Sequence, residues 1–291
     1  MAATKVLITG AGGQVGRALL AAVPDSFEVI ACTHGDLDVG AGEAVHEYVG
    51  RHRPAVIINA AAYTAVDKAE SQADAAQRIN AEGPGHLAAA ARECDARLLH
   101  ISTDFVFDGA ASVPYRPDSA THPLSVYGRT KRDGERAVLA TLPAQSTIVR
   151  TAWVYAATGA NFMLTMLRIM RANGAVRVVA DQVGTPTAAR SLAEALWCIA
   201  GNAQIRGIHH WTDAGVASWY DFAVAIAEEG AELGLVRPDV NVTPITTADY
   251  PTPARRPAYS VLDKGSMAAH GLTPIHWRKR LRAVLKEIPS A

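Results

Sequence analysis

A glycine-rich turn near the amino terminus constrains the fold of this chain more than any other stretch of its sequence. Residues 6–9 form an apolar, β-branched run that is typical of a strand buried on both faces. A G-x-x-G-x-x-G spacing follows through Gly10, Gly13 and Gly16, and leads into a helical pattern. A glycine cluster alone is often an ordinary loop. Between a first strand and a first helix, however, glycines permit the tight turn and close backbone approach that a dinucleotide pyrophosphate needs. We therefore predict a dinucleotide site at residues 10–16.

The strand and helix patterns alternate through the first half of the chain. Further strands are expected at 27–32, 55–59, 97–101 and 147–150, with helical patterns between them. Such alternation with short turns predicts an α/β fold of the Rossmann type, a doubly wound parallel sheet. Ligands of these sheets lie outside the carboxyl ends of the strands. The residues that follow four of the predicted strands should therefore meet at one site: Gly10, Ala60, Thr103 and Trp153.

The alternation loosens after about residue 155. Helices are expected at 161–170, 188–200 and 218–229, the last with Ser218 as its N-cap, and a strand at 175–179. We predict a dinucleotide-binding domain over residues 1–155. Residues 156–291 would form a smaller, mainly substrate-binding region, with some segments returning to the main sheet.

Composition narrows the class of protein. In 291 residues, 49% are apolar and 19% charged, which fits a globular enzyme with a well-filled core. Lys plus Arg equals Asp plus Glu at 28 each, which argues against nucleic acid as the main partner. Three scattered cysteines indicate a reducing compartment. A strand pattern starts at once, and no run approaches the ~20 apolar residues of a membrane span, so we expect neither a signal peptide nor a membrane segment. The protein is expected in the cytoplasm.

Tyr127 and Lys131 are spaced for proton-transfer chemistry. Four residues apart on a predicted helix, a phenol and an ammonium lie on the same face. Lowering a tyrosine pKa from its usual ~10 to about 7 requires about 4 kcal/mol, much of which a nearby lysine can supply. The same spacing also occurs in surface pairs. It gains weight here because a dinucleotide site precedes it in the chain.

Two stretches are further candidates for cofactor contacts. NAD-preferring sites often carry an acid at the end of the second strand, where this chain has Thr33. Asp36 and Asp38 follow slightly later and are expected near the adenine. Small side chains after the third strand, at residues 60–64, either let a flat ligand lie against the backbone or serve only helix–sheet packing.

Two further motifs each have a functional and a structural interpretation. The proline-rich segment 244–257 carries Arg255 and Arg256, whose guanidinium groups suit a diphosphate; the alternative is a surface loop. His209 and His210 lack a third metal ligand nearby in the sequence, and we expect them to end a strand.

Several blocks resemble the dTDP-4-dehydrorhamnose reductases, a family of extended short-chain dehydrogenases/reductases. The matching blocks extend over nearly the whole chain, at residues 60–70, 102–109, 127–131, 150–155, 181–187 and 250–257. The resemblance implies reduction of the 4-keto group of dTDP-4-dehydro-L-rhamnose, the last step of dTDP-rhamnose synthesis, with NADPH or NADH.

The resemblance also implies roles for individual residues. Tyr127 would donate a proton to the carbonyl oxygen, Lys131 would lower the tyrosine pKa and hold the cofactor ribose, and Thr103 would polarise the carbonyl group. Cofactor contacts are implied for Gly10, Gly12, Gly13, Gln14, Val15, Gly16, Thr33, Asp38, Val39, Ala60, Ala61, Ala62, Tyr63, Thr64, Tyr127 and Lys131. Substrate contacts are implied for Thr103, Asp104, Phe105, Trp153, Arg255 and Arg256.

The sequence departs from the family at a few positions. Thr33 stands where an acid is common, which leaves the choice between NADH and NADPH open and predicts that both are used. Some members bind Mg²⁺ between subunits through glutamates, but two of those positions are Ala18 and Arg190 here, so no metal is expected. A monomer or a homodimer is expected. The alternatives are another nucleotide-sugar 4-ketoreductase or epimerase, or a non-catalytic regulatory subunit.

Overall fold

The central sheet is built by repeated strand–helix units. The computed structural model describes residues 3–289. In chain order its first half contains β1 (Thr4–Thr9), α1 (Gln14–Ala21), β2 (Phe27–Cys32), α2 (Gly42–His52), β3 (Val56–Asn59), α3 (Val66–Ala69), α4 (Ala73–Gln77), a π-helical turn (Arg78–Glu82), α5 (Gly83–Glu93), β4 (Arg97–Thr103), a 3₁₀ turn (Asp104–Val106), α6 (Val126–Thr141) and β5 (Ser146–Thr151).

The second half has shorter strands. It contains β6 (Val154–Tyr155), α7 (Phe162–Asn173), β7 (Ala175–Val179), β8 (Val183–Gly184), β9 (Thr187–Ala188), α8 (Ala189–Gly201), β10 (Gly207–His210), β11 (Ala217–Ser218), α9 (Trp219–Glu232), β12 (Asn241–Ile245), a 3₁₀ turn (Thr247–Asp249), α10 (Gly265–Ala268) and α11 (Trp277–Leu285).

Six parallel strands form the main sheet, in the order β2-β1-β3-β4-β5-β10. The predicted α/β class and doubly wound parallel sheet are confirmed. The sixth strand, β10, comes from far along the chain and ends at His209 and His210, so the interpretation of these histidines as the end of a strand is confirmed.

Both faces of the sheet are covered by helices. Alternate residues of β1, Val6 and Ile8, face one core together with α1 and α8. The residue between them, Leu7, faces another core formed with α2, α5 and α6. Residues 6–8 of β1 are therefore apolar at consecutive positions, as the sequence indicated for a strand buried on both faces.

A third core lies between α7, α9 and α11 in the second half of the chain. It contains four buried side chains of α7, and Phe222, Ile226, Trp277 and Leu281 from the other two helices. Short strand pairs flank it: β7 with β12, β6 with β9, and β8 with β11. These pairs carry the chain back to the carboxyl ends of β4 and β5, where the candidate site lies.

Candidate active site

The glycine-rich turn between β1 and α1 is shaped by close backbone contacts. Gly10 has a φ of +71°, and a Cβ atom there would lie 2.5 Å from the Ala61 backbone nitrogen. A Cβ atom on Gly16 would lie 2.3 Å from the Gly10 carbonyl oxygen. Gly12 and Gly13 are exposed where α1 begins. Within the described residues, the first turn of α1 has neither a side-chain cap nor an acid, so its N–H groups are available to an anion. The turn therefore fits a dinucleotide pyrophosphate.

Gln14 joins this turn to the second half of the chain. Asn161 Nδ2 donates to Gln14 Oε1 at 2.9 Å, and Gln14 Nε2 donates to the Ala160 carbonyl oxygen at 3.4 Å. Val15 packs against the core between α1 and α8. Arg17 lies beside Gly159, since a Cβ atom on Gly159 would lie 3.4 Å from Arg17 Nη2, and Arg17 shares a cavity with the loop that contains Ala156 and Thr158.

An acid does occupy the end of β2, although not at the expected position. The Thr33 backbone N–H and hydroxyl both donate to Asp36 Oδ2, at 2.8 and 2.6 Å. These two hydrogen bonds, the hydroxyl first, hold the pKa of Asp36 below its usual value. Thr33 also lies beside Gly12, since a Cβ atom there would lie 3.8 Å from Thr33 Cγ2. A carboxylate therefore stands next to the dinucleotide turn.

Asp38 is paired rather than free. Arg78, in the π-helical turn, donates to Asp38 Oδ2 at 2.6 Å, and this hydrogen bond is the largest cause of the lowered pKa of Asp38. Val39 is buried beside Gly83. Sequence reasoning missed Arg78 because its partner lies 40 residues away.

Residues 60–64 follow β3 directly across from the glycine-rich turn. Ala60, Ala61 and Ala62 are partly buried, and Thr64 is exposed. Asn80 holds the stretch, since its Oδ1 accepts from the Tyr63 N–H at 2.8 Å and its Nδ2 donates to the Tyr63 carbonyl at 3.0 Å.

Thr103 and Asp104 stand at the carboxyl end of β4. The Thr103 hydroxyl donates to Asp104 Oδ1 at 3.0 Å and accepts from the Phe105 N–H at 3.3 Å. Asp104 is 1% exposed, and burial raises its pKa to about 6. The Ser260 hydroxyl is close enough to lower that pKa but does not complete a hydrogen bond to Oδ2, which lacks a partner among the described residues.

Helix α6 brings Tyr127 against this strand end. The ring of Phe105 meets the Tyr127 ring edge-on with 5.6 Å between centroids. A Cβ atom on Gly128 would lie 2.2 Å from the Phe105 carbonyl oxygen, so only glycine permits this approach. Burial raises the pKa of Tyr127 to about 12, whereas the nearby Thr103 hydroxyl acts to lower it.

Lys131 lies one turn further along α6 and is 2% exposed. Its Nζ donates to the Ile101 carbonyl oxygen at 2.7 Å and lies 3.5 Å from His100 Nε2. Burial lowers the pKa of Lys131 to about 8, and Glu135 acts in the opposite direction. The expectation that Lys131 lowers the Tyr127 pKa is not met in the protein alone, because burial dominates at Tyr127 and the lysine is engaged by β4.

Trp153 follows β5 in a strained conformation. Its φ is +50°, rare for a bulky residue, and its ring stacks on Trp219 with centroids 3.5 Å apart and planes 6° apart. A Cβ atom on Gly184 would lie 2.7 Å from Trp153 Cε2 and 2.9 Å from Ser260 Oγ. The indole therefore lies beside the residue that approaches Asp104. Trp219 begins α9 and was not predicted, since the sequence gives no sign of the stacking.

The two arginines of the proline-rich segment differ. Arg256 donates to both carboxylate oxygens of Asp67, at 3.0 and 2.8 Å, and to Thr252 Oγ1 at 2.5 Å. Arg255 is exposed. The prediction of two presented guanidinium groups is therefore wrong for Arg256, because a carboxylate 189 residues away in sequence already neutralises it.

Ala18 and Arg190, the positions where some relatives place metal-binding glutamates, face each other across α1 and α8 around one cavity. Arg190 Nε donates to Glu194 at 3.2 Å. Among the described residues, no three His, Cys, Asp or Glu side chains group as a metal site, and no helix is long and apolar enough to span a membrane.

Transfer of hydride and a proton to a carbonyl group needs a dinucleotide and a hydroxyl donor within reach of one another. The sheet places its glycine-rich turn and the Thr103–Tyr127 pair along the same edge, at the carboxyl ends of its strands. The fold and site are those of a Rossmann-type reductase of the extended short-chain dehydrogenase/reductase class. Within that class the chain belongs to the RmlD substrate binding domain family, which matches residues 4–290.

Named relatives are similar over nearly their whole length. A dTDP-4-dehydrorhamnose reductase of Streptomyces griseus is 46% identical over 282 residues, 94% of this chain and 91% of the relative. A probable dTDP-4,6-dihydroxy-2-methyloxan-3-one 4-ketoreductase of Streptomyces antibioticus is 44% identical over 289 residues, 98% and 96% of the two chains. The crystal structure of dTDP-4-dehydrorhamnose reductase from Bacillus anthracis, in complex with NADP, superposes with a TM-score of 0.92 at 33% identity, covering 98% and 99%.

Proposed function

We propose that this protein reduces the 4-keto group of dTDP-4-dehydro-L-rhamnose to give dTDP-L-rhamnose, with NADPH or NADH as the reductant. One observation carries the proposal. Thr103, Tyr127 and Lys131 come together at the carboxyl end of β4, along the sheet edge that holds the dinucleotide turn, in a chain that belongs to the family over residues 4–290.

The protein supplies the proton and the geometry of the reaction. When bound, the reduced nicotinamide supplies the hydride. Tyr127 is fully protonated at neutral pH because its pKa is raised, so its hydroxyl is ready to donate to the oxygen that gains charge. The Thr103 hydroxyl is placed beside it to stabilise the same oxygen. Lys131, held by the Ile101 carbonyl, would contact the cofactor ribose.

Substrate recognition is assigned to the opposite wall of the site. We assign Asp104, Phe105 and the Trp153 indole to the sugar, and the exposed Arg255 to a phosphate oxygen. Arg256 contributes indirectly, because its ion pair with Asp67 fixes the position of the proline-rich segment. We assign residues 1–155 mainly to the cofactor and residues 156–291 mainly to the sugar nucleotide.

A second candidate is reduction of a different dTDP-4-keto sugar. The relative from Streptomyces antibioticus favours it, because its name specifies another ketosugar at nearly the same identity. The two candidates share the proton donor and the dinucleotide site, and they differ only in the hydroxyl pattern that Asp104 and Trp153 meet.

An assay with purified protein distinguishes these possibilities. The protein is incubated with enzymatically made dTDP-4-dehydro-L-rhamnose and NADPH or NADH, nicotinamide absorbance is followed, and the product is identified by mass spectrometry and NMR. We expect oxidation of the cofactor and formation of dTDP-L-rhamnose. Turnover only with dTDP-4-keto-6-deoxy-D-glucose would favour the second candidate, and no turnover with any keto sugar would favour a regulatory subunit.

The protein would act in the cytoplasm on a small-molecule sugar nucleotide, as a monomer or a homodimer, without a metal. Its equal numbers of acidic and basic residues argue against nucleic acid as the main partner. The free thiols of Cys32, Cys94 and Cys198 are in keeping with a reducing compartment.

A further inference from the structure

A chain of buried polar groups crosses the sheet beneath the candidate site. It starts at Thr9, the last residue before the glycine-rich turn, and passes through Asn59 and His100 to Lys131. Asn59, His100 and Lys131 are each at most 2% exposed. Buried polar groups in a connected network fix one another's orientation, since each unsatisfied group would cost free energy. The orientation of each member can therefore be worked out from its neighbours.

The orientation of Asn59 is set by a backbone N–H. The Ala61 N–H can only donate, and it points at the Asn59 side chain at 3.1 Å, so the atom that faces it is Oδ1. The Thr9 hydroxyl donates to the same oxygen at 2.8 Å. Turning the amide over would place an NH₂ group against the Ala61 N–H and leave that donor unpaired. The Asn59 NH₂ group therefore faces His100.

The orientation of Asn59 sets the tautomer of His100. Asn59 Nδ2 lies 3.0 Å from His100 Nδ1, so Nδ1 must be the acceptor. Burial and the nearby Lys131 hold the His100 pKa far below its usual value, so the ring is neutral. A neutral imidazole with an unprotonated Nδ1 carries its hydrogen on Nε2. That N–H faces Lys131 Nζ across 3.5 Å.

An N–H that points at an ammonium group opposes its charge. A neutral lysine amine could accept from Nε2–H, whereas an ammonium group has no lone pair to offer it. The other charged groups around Lys131 do not reverse this effect. Glu135, one turn further along α6, favours the ammonium form, but its carboxylate is paired with Arg150 of β5 at 2.7 and 2.8 Å.

We propose that His100 is a positioning residue for Lys131: Ala61, acting through Asn59, holds the imidazole as the Nε2–H tautomer, and this N–H disfavours the ammonium form of Lys131. The inference rests on the proposed function for the catalytic role of Lys131, but the tautomer can be measured without any substrate. The hydrogen bond from the Ala61 N–H, next to the glycine-rich turn, therefore influences the protonation of Lys131 on α6 through Asn59 and His100. The neutral and charged forms of Lys131 would both be accessible within the range of pH in which an enzyme works.

The tautomer is tested by ¹⁵N NMR of histidine-labelled protein, with the His100 signals assigned by their loss in His100→Phe. We expect a neutral ring protonated at Nε2 from pH 6 to 9. A ring protonated at Nδ1, or an imidazolium, overturns the proposal. In Asn59→Asp the carboxylate can accept from Thr9, Ala61 and the imidazole together, so the variant keeps every donor paired and the tautomer should switch to Nδ1–H. Persistence of neutral Nε2–H in that variant also overturns it.

The effect on Lys131 is tested by pH profiles of kcat/KM. In Asn59→Asp, His100 Nε2 becomes an acceptor for the Lys131 ammonium group and stabilises it. The fall of kcat/KM at high pH, where Lys131 loses its proton, should therefore move to higher pH by about one unit. Asn59→Asp also adds a negative charge, whose direct effect on Lys131 has to be measured separately. The control is Asn59→Asp combined with His100→Phe, in which there is no imidazole between the carboxylate and Lys131. We expect a clearly smaller shift there. Equal shifts in both backgrounds would mean that charge alone acts, and the positioning role would be rejected. A protein that lacks activity but shows the expected tautomers would count against the proposed function only.

Discussion

At the scale of single residues, burial favours the neutral form of Tyr127 and of the ionisable side chains near it. It raises the pKa of Tyr127 to about 12 and that of Asp104 to about 6, and it lowers the pKa of Lys131 to about 8. In each case the neutral form gains, as expected where water is excluded. The isolated protein therefore keeps its proton donor protonated. Thr103 lowers the Tyr127 pKa too little to offset burial, so a tyrosine pKa below its usual value would require a charge supplied by the bound ligands.

Tyr127→Phe tests the proposed proton donor by removing only the phenolic hydroxyl group. The variant keeps the edge-on contact with Phe105 and loses only the hydroxyl, so we expect kcat to fall by roughly 10²–10⁴ while the Kd of the cofactor changes little. Tyr250→Phe, at a residue that is 61% exposed, serves as the control. A Tyr127→Phe enzyme with near-normal kcat would exclude this tyrosine as the donor.

Asp36 is the residue that should decide the choice between NADH and NADPH. Its carboxylate is fixed on Thr33 beside Gly12, where the 2′-phosphate of NADPH would meet a negative charge. Asp36→Asn keeps the size of the side chain and removes the charge. We expect kcat/KM for NADPH relative to NADH to rise by roughly tenfold. Asp25→Asn, an exposed change just before β2, is the control. An unchanged ratio in Asp36→Asn would show that Asp36 does not face the ribose.

Asp104 should leave a signature in the pH dependence of stability. Its pKa is about 6 in the folded protein and 3.8 ordinarily, so the folded state holds the proton to higher pH. The stabilisation is fully present below about pH 4 and is lost as the pH rises through 6. The loss amounts to about 3 kcal/mol. Relative to wild type, Asp104→Asn should therefore gain free energy of unfolding between pH 4 and pH 7.

Denaturant titrations of wild type and Asp104→Asn at several pH values measure this difference. Asp36→Asn is the matched comparison, because hydrogen bonds from Thr33 lower the pKa of Asp36. The stabilisation from Asp36 is lost only as the pH falls below about 4, so the difference for Asp36→Asn should stay nearly constant from pH 5 to pH 7. A difference for Asp104→Asn that stays constant from pH 4 to pH 7 would contradict the raised pKa.

At the scale of elements, the end of β5 and the strand β8 together hold the Trp153 indole. The left-handed conformation of Trp153 turns its side chain onto Trp219, the first residue of α9, and Gly184 of β8 leaves room for the ring. Strain at a bulky residue persists only where its surroundings enforce it, and it is concentrated at functional sites. Three elements thus fix one indole beside Ser260 and Asp104.

Gly184→Ala should displace that indole, because the added Cβ atom would lie 2.7 Å from Trp153 Cε2. We expect KM for the sugar nucleotide to rise about tenfold or more, with KM for the cofactor unchanged, since the change lies on the substrate wall. Gly50→Ala in α2 is the control, because its added Cβ atom meets nothing within 4 Å. Equal effects on both KM values would indicate a general loss of structure instead.

Local patterns located most elements, because their causes are local. The strands Phe27–Cys32 and Ala175–Val179 have the predicted bounds, and α9 begins after Ser218 with the expected cap. The Ser218 hydroxyl accepts from the Asp221 N–H at 3.0 Å, a capping contact that two nearby residues determine by themselves. The helix over 161–170 was found with an extra turn, to Asn173.

Contacts between distant residues account for what the sequence did not reveal. The pairing of Arg256 with Asp67 and of Asp38 with Arg78 depends on which loops the fold brings together. Asp36 was named near the adenine, but its capture by Thr33 was not foreseen, since an acid was sought only at the strand end itself. Candidate residues at strand ends were located from topology alone, because parallel strands end along one edge.

At the scale of the whole molecule, the two halves of the chain share one of their cores. Helix α8, from the second half, packs on α1, and Trp197 Nε1 donates to the Leu19 carbonyl oxygen at 3.0 Å. Strand β10 pairs with β5 along four residues and forms the edge of the sheet. Arg97, at the start of β4, donates to the carbonyl oxygens of Ala200 and Ile199 at 2.9 and 3.1 Å. The predicted boundary at residue 155 therefore does not separate two independent cores.

This shared core predicts that a fragment of residues 1–155 will not fold by itself. Without α8 the face of the sheet formed by Val6, Ile8 and Val149 loses its cover, and without β10 the edge of β5 is unpaired. We expect the fragment to aggregate or to unfold without cooperativity, as followed by circular dichroism and size-exclusion chromatography. In the full chain, Trp197→Ala should lower the free energy of unfolding by about 3–5 kcal/mol, as removal of a large buried aromatic side chain does. Cys198→Ala, its exposed neighbour on α8, should change it little. A 1–155 fragment that unfolds cooperatively and binds NADPH would show instead that the cofactor half is an independent domain.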